Sequence, residues 1–127
     1  MILKNGLILD RSLKFSNADL SIRGGIIEAV GTGLCAEQDK VVDCTGLFVL
    51  PGFIDTHLHG ANGVDFCDVG KEFDAALIYE AKNGITALCP TTKAASAEDT
   101  VKCIDHIVSE KSRNIKGAKI CGIHLEG

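Results

Sequence analysis

Two patterns of apolar and polar residues divide the chain near residue 50. Before that point the apolar residues form short runs separated by turn residues, which is typical of β-strands. Residues 19–23 alternate polar and apolar side chains, and Gly24-Gly25 then supplies a hairpin turn. This half predicts a small antiparallel β unit. The apolar runs lie at residues 2–3, 7–9, 18–23, 26–30, 41–42 and 47–50.

After Pro51-Gly52 the pattern changes to alternating strands and helices, which predicts βα units of a parallel sheet or barrel. The first unit is a strand over residues 53–59, a loop, and a helix over residues 71–83 that Gly84 closes. We therefore predict two domains, 1–50 and 51–127. The predicted apolar stripe of the first helix consists of Phe73, Ala76, Leu77 and Ala81.

The second βα unit is a strand over residues 85–89 followed by a helix that begins at Ser96. Asp99, three residues on, forms a capping-box arrangement with Ser96. A third strand is predicted over residues 119–125. For the second helix, the predicted apolar face consists of Val101, Ile104 and Val108, and His106 is expected to face solvent.

Composition and charge exclude several classes of function. The 127 residues are 46% hydrophobic and carry a net charge of −4, without a basic stripe, so we expect no nucleic-acid partner. The apolar start is too short and interrupted for a signal peptide or a membrane span, so we expect a cytoplasmic protein without a membrane partner. Six cysteines without Cys-x-x-Cys spacing are expected to be mostly buried free thiols.

The first barrel-type strand carries the candidate chemistry. Residues two apart in a strand point the same way, so Asp55, His57 and His59 share one face. Parallel strands are normally covered on both faces, and ionisable side chains placed there need a partner such as a metal ion. A lone His-x-His is more often exposed, or hydrogen-bonded to a carboxylate, than bound to a metal. We interpret Asp55 as a structural residue rather than a ligand.

A second pair of ionisable residues, His124 and Glu126, lies on one face of the third predicted strand. Both pairs fall at the C-terminal ends of their strands, where barrel enzymes build their sites. Two such pairs at equivalent positions favour a metal site over two isolated surface histidines. Thr91 and Thr92 also end a strand, but we expect their hydroxyls to satisfy local backbone groups.

Three segments carry a resemblance to a known family. Residues 49–60, with the sequence VLPGFIDTHLHG, resemble the first barrel strand of the amidohydrolase superfamily, whose metal motif is His-x-His. Residues 122–127, with the sequence GIHLEG, are similar to the Gly-x-His-Leu-Glu-Gly motif of the N-acetylglucosamine-6-phosphate deacetylase family. Residues 63–66 are also similar to that family, so the resemblance extends along the whole chain.

The resemblance implies an α/β fold: the N-terminal part of a metal-dependent hydrolase (β/α)8 TIM-like barrel, preceded by strands of a small β-sandwich. Such a barrel needs roughly 250 residues, so the barrel is expected to be incomplete in this chain. Carried over by position, Glu126 matches the family's carboxylate metal ligand, and His57 and His59 match the pair that binds a second metal in some members. The family's catalytic aspartate and its other metal-binding histidines lie downstream, so no catalytic residue is expected here.

The resemblance also implies a reaction and its partners. The full-length enzyme would use a metal-activated water to hydrolyse N-acetylglucosamine 6-phosphate to glucosamine 6-phosphate and acetate in amino-sugar metabolism. The implied cofactor is one or two divalent metal ions per subunit, zinc or iron, and the implied assembly is a homodimer. The 127-residue chain alone is expected to be inactive. Two alternatives stay open: another amidohydrolase, dihydroorotase-like or deaminase-like, and a noncatalytic metal-binding fragment.

Overall fold

The computed structural model describes residues 1–35 and 40–126. The chain divides into two compact units, Met1–Pro51 and Gly52–Gly127. Gly127, the last residue of the GIHLEG motif, lies outside the described residues. Within the described ranges, neither helix is long and apolar enough to cross a membrane.

The first unit is a five-stranded sheet with the order β3-β2-β1-β4, in which β5 also pairs with β1. Strands β1, β2 and β3 are antiparallel neighbours, as predicted. The prediction of an all-antiparallel unit is wrong for β4 and β5, because both run parallel to β1. The strands are β1 (Ile2–Leu9), β2 (Phe15–Arg23), β3 (Ile26–Gly31), β4 (Val41–Asp43) and β5 (Phe48–Val49).

Turn residues explain the local geometry of this sheet. Gly24 and Gly25 both have positive φ, 58° and 79°, and form the predicted hairpin turn between β2 and β3. The two predicted runs at residues 2–3 and 7–9 form one strand, because an irregular pairing between Leu3 and Gly6 lets β1 continue through Asn5. One buried apolar cluster of the unit consists of Ile8, Ala18 and Leu20.

The second unit contains a parallel three-stranded sheet with the order β10-β9-β6. Two helices follow β6 and β9, which confirms the predicted βα alternation. The elements are β6 (Phe53–Leu58), β7 (Gly60–Ala61), β8 (Val64–Asp65), α1 (Asp74–Lys82), β9 (Ile85–Pro90), α2 (Ala97–Ser112) and β10 (Lys119–Ile120).

The ends of the helices match their sequence signals. Ser96 caps α2 and its hydroxyl accepts the Asp99 N–H at 3.1 Å, which confirms the capping prediction. Gly84, just beyond α1, has a φ of 93°, a conformation that few other residues adopt. For α1 the predicted stripe is confirmed at Phe73, Ala76 and Leu77, whereas Ala81 is exposed.

The predicted apolar face of α2 is wrong. Val101 and Val108 are 56% and 54% exposed, and the helix buries Cys103, Ile107 and Glu110 instead. Both sets have helical spacing, so periodicity alone did not decide between them. Glu110 can be buried because its carboxylate accepts the Phe73 N–H at 2.9 Å and forms an ion pair with Arg113.

Two further side chains near α2 differ from expectation. His106 is half-buried: its Nε2 lies 3.0 Å from the Lys71 carbonyl oxygen, and its ring packs edge-on against Phe73. Cys67 and Cys103 form a disulfide, so the expectation of free thiols is wrong for this pair. Of the four free cysteines, only Cys44 is fully buried.

Candidate metal centre

Strand β6 carries His57 near its end, and His59 follows directly after it. Asp55, on the same face, accepts the His57 N–H on its Oδ1 at 2.9 Å. This carboxylate is therefore used locally, in agreement with its interpretation as structural. The two imidazole rings lie edge to face with their centroids 5.3 Å apart.

The segment that delivers Glu126 is less regular than predicted. The prediction of a strand over residues 119–125 is wrong beyond Ile120, where β10 ends. Backbone bonds still hold the following residues against the end of β9: the His124 N–H donates to the Pro90 carbonyl, and the Thr92 N–H donates to the His124 carbonyl, both at 3.0 Å. Glu126 is thereby brought beside the end of β6.

The three predicted site residues, His57, His59 and Glu126, form one cluster. Oε2 of Glu126 lies 2.9 Å from Nε2 of His57 and 3.0 Å from Nε2 of His59. One potential ligand atom from each residue lies within 4.8 Å of the others, and each side chain is about half exposed. Residues 69 positions apart in sequence therefore meet at one point of the structure.

The electrostatics of the cluster favour an ionised carboxylate. The hydrogen bond with His57 lowers the pKa of Glu126 below its usual value, desolvation partly opposes this, and the nearby imidazoles lower the pKa further. Glu126 is consequently an anion near neutral pH. Two imidazole nitrogens and one carboxylate oxygen are donors that zinc and other first-row divalent ions accept, so the donor set fits a metal ion.

His124 lies beside the cluster. Its Nδ1 is 2.9 Å from the carbonyl oxygen of Thr56, and its ring centroid is 4.4 Å from that of His57. The sequence placed His124 on one face with Glu126, but not in contact with His57. That contact depends on the alignment of β6 with the irregular segment after β10, for which the sequence contains no signal.

Thr92 is a site residue whose role the sequence did not reveal. The expectation was that its hydroxyl satisfies local backbone groups, but its partner is the backbone of Glu126, 34 residues away. The neighbouring Thr91 hydroxyl accepts the Leu58 N–H at 2.9 Å and donates to the Cys89 carbonyl at 3.2 Å. Both threonines are buried, and they fix the ends of the strands around the cluster.

A cavity of about 240 Å³ opens beside Glu126. Thr92 and Lys93 line one part of it, and Leu125 lines another. The Lys93 ammonium pairs with Asp65 at 2.6 Å, and this ion pair raises the pKa of Lys93 above its ordinary value. A cationic side chain thus borders the cavity next to the candidate ligands.

The chain is similar to curated deacetylases over most of its length. No protein-family model matches it. It is 32% identical to N-acetylglucosamine-6-phosphate deacetylase of Bos taurus over 99% of the chain and 31% of that relative. An N-acetylgalactosamine-6-phosphate deacetylase of Escherichia coli is 33% identical over 85% of the chain and 28% of that relative. The chain therefore spans about a third of the length of these relatives.

Solved structures share the fold. N-acetyl-D-glucosamine-6-phosphate deacetylase of Mycobacterium smegmatis superposes with a TM-score of 0.79 and 28% identity, over 100% of this chain and 35% of that one. The similarity confirms the predicted α/β fold class. A mutant of the M. smegmatis enzyme, 27% identical, was solved in complex with N-acetyl-D-glucosamine-6-phosphate.

A dihydroorotase provides a useful contrast. The enzyme from a Thermoanaerobacter species is 42% identical, but over only 46% of this chain and 14% of its own length. The similarity to deacetylases extends over 99% of the chain. The match to the Bos taurus deacetylase thus covers about twice as much of this chain as the match to the dihydroorotase.

Proposed function

We propose that this chain, which belongs to the N-acetylglucosamine-6-phosphate deacetylase family and corresponds along 99% of its length to the N-terminal portion of the Bos taurus enzyme, holds metal ligands of the complete enzyme. The complete enzyme would hydrolyse the acetamide of N-acetylglucosamine 6-phosphate to glucosamine 6-phosphate and acetate. The single observation that carries this proposal is the cluster of His57, His59 and Glu126, whose potential ligand atoms lie within 4.8 Å of one another.

In this proposal the three side chains hold one or two divalent metal ions, zinc or iron. Bound metal would supply Lewis acidity, which lowers the pKa of water and polarises the acetyl carbonyl. Glu126 contributes the negative charge of the set, and the two histidines contribute neutral nitrogen donors. Their clustering is consistent with a preformed site, because Glu126 already contacts both imidazoles. The resemblance assigns proton transfer to an aspartate of a later barrel strand.

Metal binding by the 127-residue chain tests whether His57, His59 and Glu126 are metal ligands. We expect isothermal titration with zinc to detect binding in the unaltered chain and at least tenfold weaker binding in Glu126→Gln. Gln keeps the size of the side chain but removes its charge. His106→Gln serves as the matched control, because His106 lies on α2 and contacts the Lys71 carbonyl rather than the cluster. Equal affinity in all three proteins would refute the assigned ligands.

Enzymatic turnover tests the proposed deacetylase activity of the complete enzyme. In the complete enzyme, Glu126→Gln should remove most of the acetate release from N-acetylglucosamine 6-phosphate, whereas His106→Gln should retain it. The 127-residue chain should bind metal without turnover. Deacetylation that survives Glu126→Gln in the complete enzyme would rule out Glu126 as an essential ligand.

The second candidate substrate is N-acetylgalactosamine 6-phosphate, which the Escherichia coli relative makes plausible as an epimeric alternative. A comparison of kcat/KM for the two sugar phosphates distinguishes them. The dihydroorotase-like alternative predicts turnover of a cyclic amide and none of either sugar phosphate. A cytoplasmic location and a homodimeric complete enzyme belong to the same proposal.

A further inference from the structure

Two free cysteines outside the metal cluster lie opposite each other on neighbouring strands. Sγ of Cys89, in β9, is 3.5 Å from Sγ of Cys121, which follows β10 directly. The pairing of Ile120 with Leu88 places the two cysteines at the next register position, and the Cys121 N–H donates to the Leu88 carbonyl at 3.0 Å. The backbone on both sides is thus held in place by the sheet.

This arrangement is compatible with a disulfide. Neighbouring strands lie about 4.8 Å apart, which is within the range of about 4.4–6.8 Å that disulfides require between Cα atoms. The sulfur atoms, now 3.5 Å apart, would have to approach to bonding distance by rotation of the two side chains. The sheet itself would not need to open.

The two thiols differ in accessibility. Cys121 is exposed, whereas Cys89 is only half-exposed. Burial raises the pKa of the Cys89 thiol, and the contact with Cys121 raises it further, so Cys89 stays protonated near neutral pH. An oxidant from solvent would therefore reach Cys121 first, and Cys89 is positioned to react second.

We propose that Cys89 and Cys121 form a redox-active dithiol that a hydroperoxide converts into a cross-strand disulfide. The Cys121 thiolate attacks a peroxide oxygen; an S–O bond forms, the O–O bond breaks, and water leaves after protonation when the oxidant is hydrogen peroxide. The Cys89 sulfur then attacks the Cys121 sulfur; the S–S bond forms, the S–O bond breaks, and a second water leaves. Two thiols lose two electrons and two protons, and one peroxide is reduced to two waters.

The position of the pair gives the oxidation a structural consequence. Cys121 begins the segment that leads to His124 and Glu126, and Cys89 directly precedes the Pro90 carbonyl that accepts the His124 N–H. A disulfide would cross-link these two segments covalently. The inference rests on the two thiols alone and is independent of the reaction that the complete enzyme performs.

Peptide mapping tests the proposal directly. The reduced and desalted 127-residue chain is treated with two equivalents of hydrogen peroxide, because one equivalent is consumed when the Cys67–Cys103 disulfide re-forms, and it is then alkylated and digested with trypsin. Cleavage after Lys82, Lys93 and Lys119 puts Cys89 and Cys121 on separate peptides, 83–93 and 120–127. We expect a linked pair of these two peptides, and we expect Cys35 to remain alkylated on peptide 24–40.

Single variants identify the order of attack. In Cys89→Ala the first step proceeds without the second, so a sulfenic-acid probe such as dimedone should label Cys121. In Cys121→Ala, dimedone labelling of Cys89 should be at least several-fold slower. The mapping of the unaltered chain needs no variant and remains decisive if a variant does not fold. The proposal is overturned if both thiols stay alkylated, or if Cys121 is linked to a different cysteine.

Discussion

The hydroxyl group of Thr92 bonds both backbone polar groups of Glu126: its Oγ1 accepts the Glu126 N–H at 2.9 Å and donates to the Glu126 carbonyl at 3.1 Å. Thr92 is 1% exposed, so water does not compete for these bonds. The candidate carboxylate ligand is thus fixed to the end of β9 through its own backbone. Its position depends on a residue whose hydroxyl bonds only the Glu126 backbone and none of the candidate ligand atoms.

Replacing Thr92 by Val should weaken metal binding without unfolding the chain. Val has nearly the same shape but leaves the Glu126 backbone without its two partners, so the carboxylate is held less firmly. By analogy with residues that support metal ligands, we expect a loss of about 10–100-fold in zinc affinity, measured by isothermal titration. Thr100→Val makes the same chemical change on α2, where the hydroxyl bonds the Ser96 carbonyl, and should leave the affinity unchanged. Equal affinities in the two variants would exclude the positioning role.

The fold was predictable where local chemistry determines it. The Gly24-Gly25 turn, the Ser96 cap and the buried positions of α1 all follow from residue type and spacing. The parallel pairing of β4 and β5 with β1 was not predictable, because short apolar runs do not specify a partner or a direction.

A test in α2 separates the predicted apolar face from the observed one. Ile107 is fully buried and its neighbour Val108 is 54% exposed. Ile107→Ala should lower the free energy of unfolding by about 2–5 kcal/mol because it leaves a cavity in the core. Val108→Ala should change that free energy by no more than about 0.5 kcal/mol. Urea denaturation followed by circular dichroism measures the free energy of unfolding of both variants. A larger loss in Val108→Ala than in Ile107→Ala would show that the face predicted from periodicity is the buried one.

The residues of the candidate site were predictable from the sequence, but the contacts that hold them in place were not. Two-residue spacing in a strand was enough to group His57 with His59 and His124 with Glu126, and the resemblance assigned the role of carboxylate ligand to Glu126. The contacts that hold them depend on residues far apart in sequence, such as His124 with the Thr56 carbonyl. Hydroxyl and imidazole side chains have many possible partners, so only the tertiary structure identifies these contacts.

The disulfide between Cys67 and Cys103 should contribute to the stability of the second unit. It closes a loop between residues 36 positions apart. For a loop of this length, the chain-entropy treatment gives about 4 kcal/mol of stabilisation at 25 °C. Dithiothreitol should therefore shift the urea midpoint of the unaltered chain to lower concentration. The double variant Cys67→Ala/Cys103→Ala is the control, since its midpoint should not respond to dithiothreitol. An equal response in both proteins would show that another cysteine pair is responsible.

Asp19 should make the stability of the first unit depend on acid. The Asn5 N–H bond lowers the pKa of Asp19, burial partly opposes this, and bonds from Lys4 and the Leu34 N–H lower the pKa further. A carboxyl group whose pKa is lower in the folded state stabilises that state above its unfolded pKa of about 3.9, and the stabilisation is lost as pH falls through the folded pKa.

Asp19→Asn should accordingly lower the Tm at pH 7, because the amide loses the charge and brings an N–H group toward three donors. The difference in Tm from the unaltered chain should begin to narrow as pH falls below about 4, where Asp19 becomes protonated in the unfolded chain, and should narrow further as pH falls through the lowered pKa of the folded state. Thermal melts followed by circular dichroism from pH 7 to pH 2 measure this difference. Asp105→Asn, which removes an exposed charge from α2, controls for net charge. Melting curves that stay parallel for the unaltered chain and Asp19→Asn throughout this range would contradict the assignment, because the stabilisation would then not depend on the ionised carboxylate.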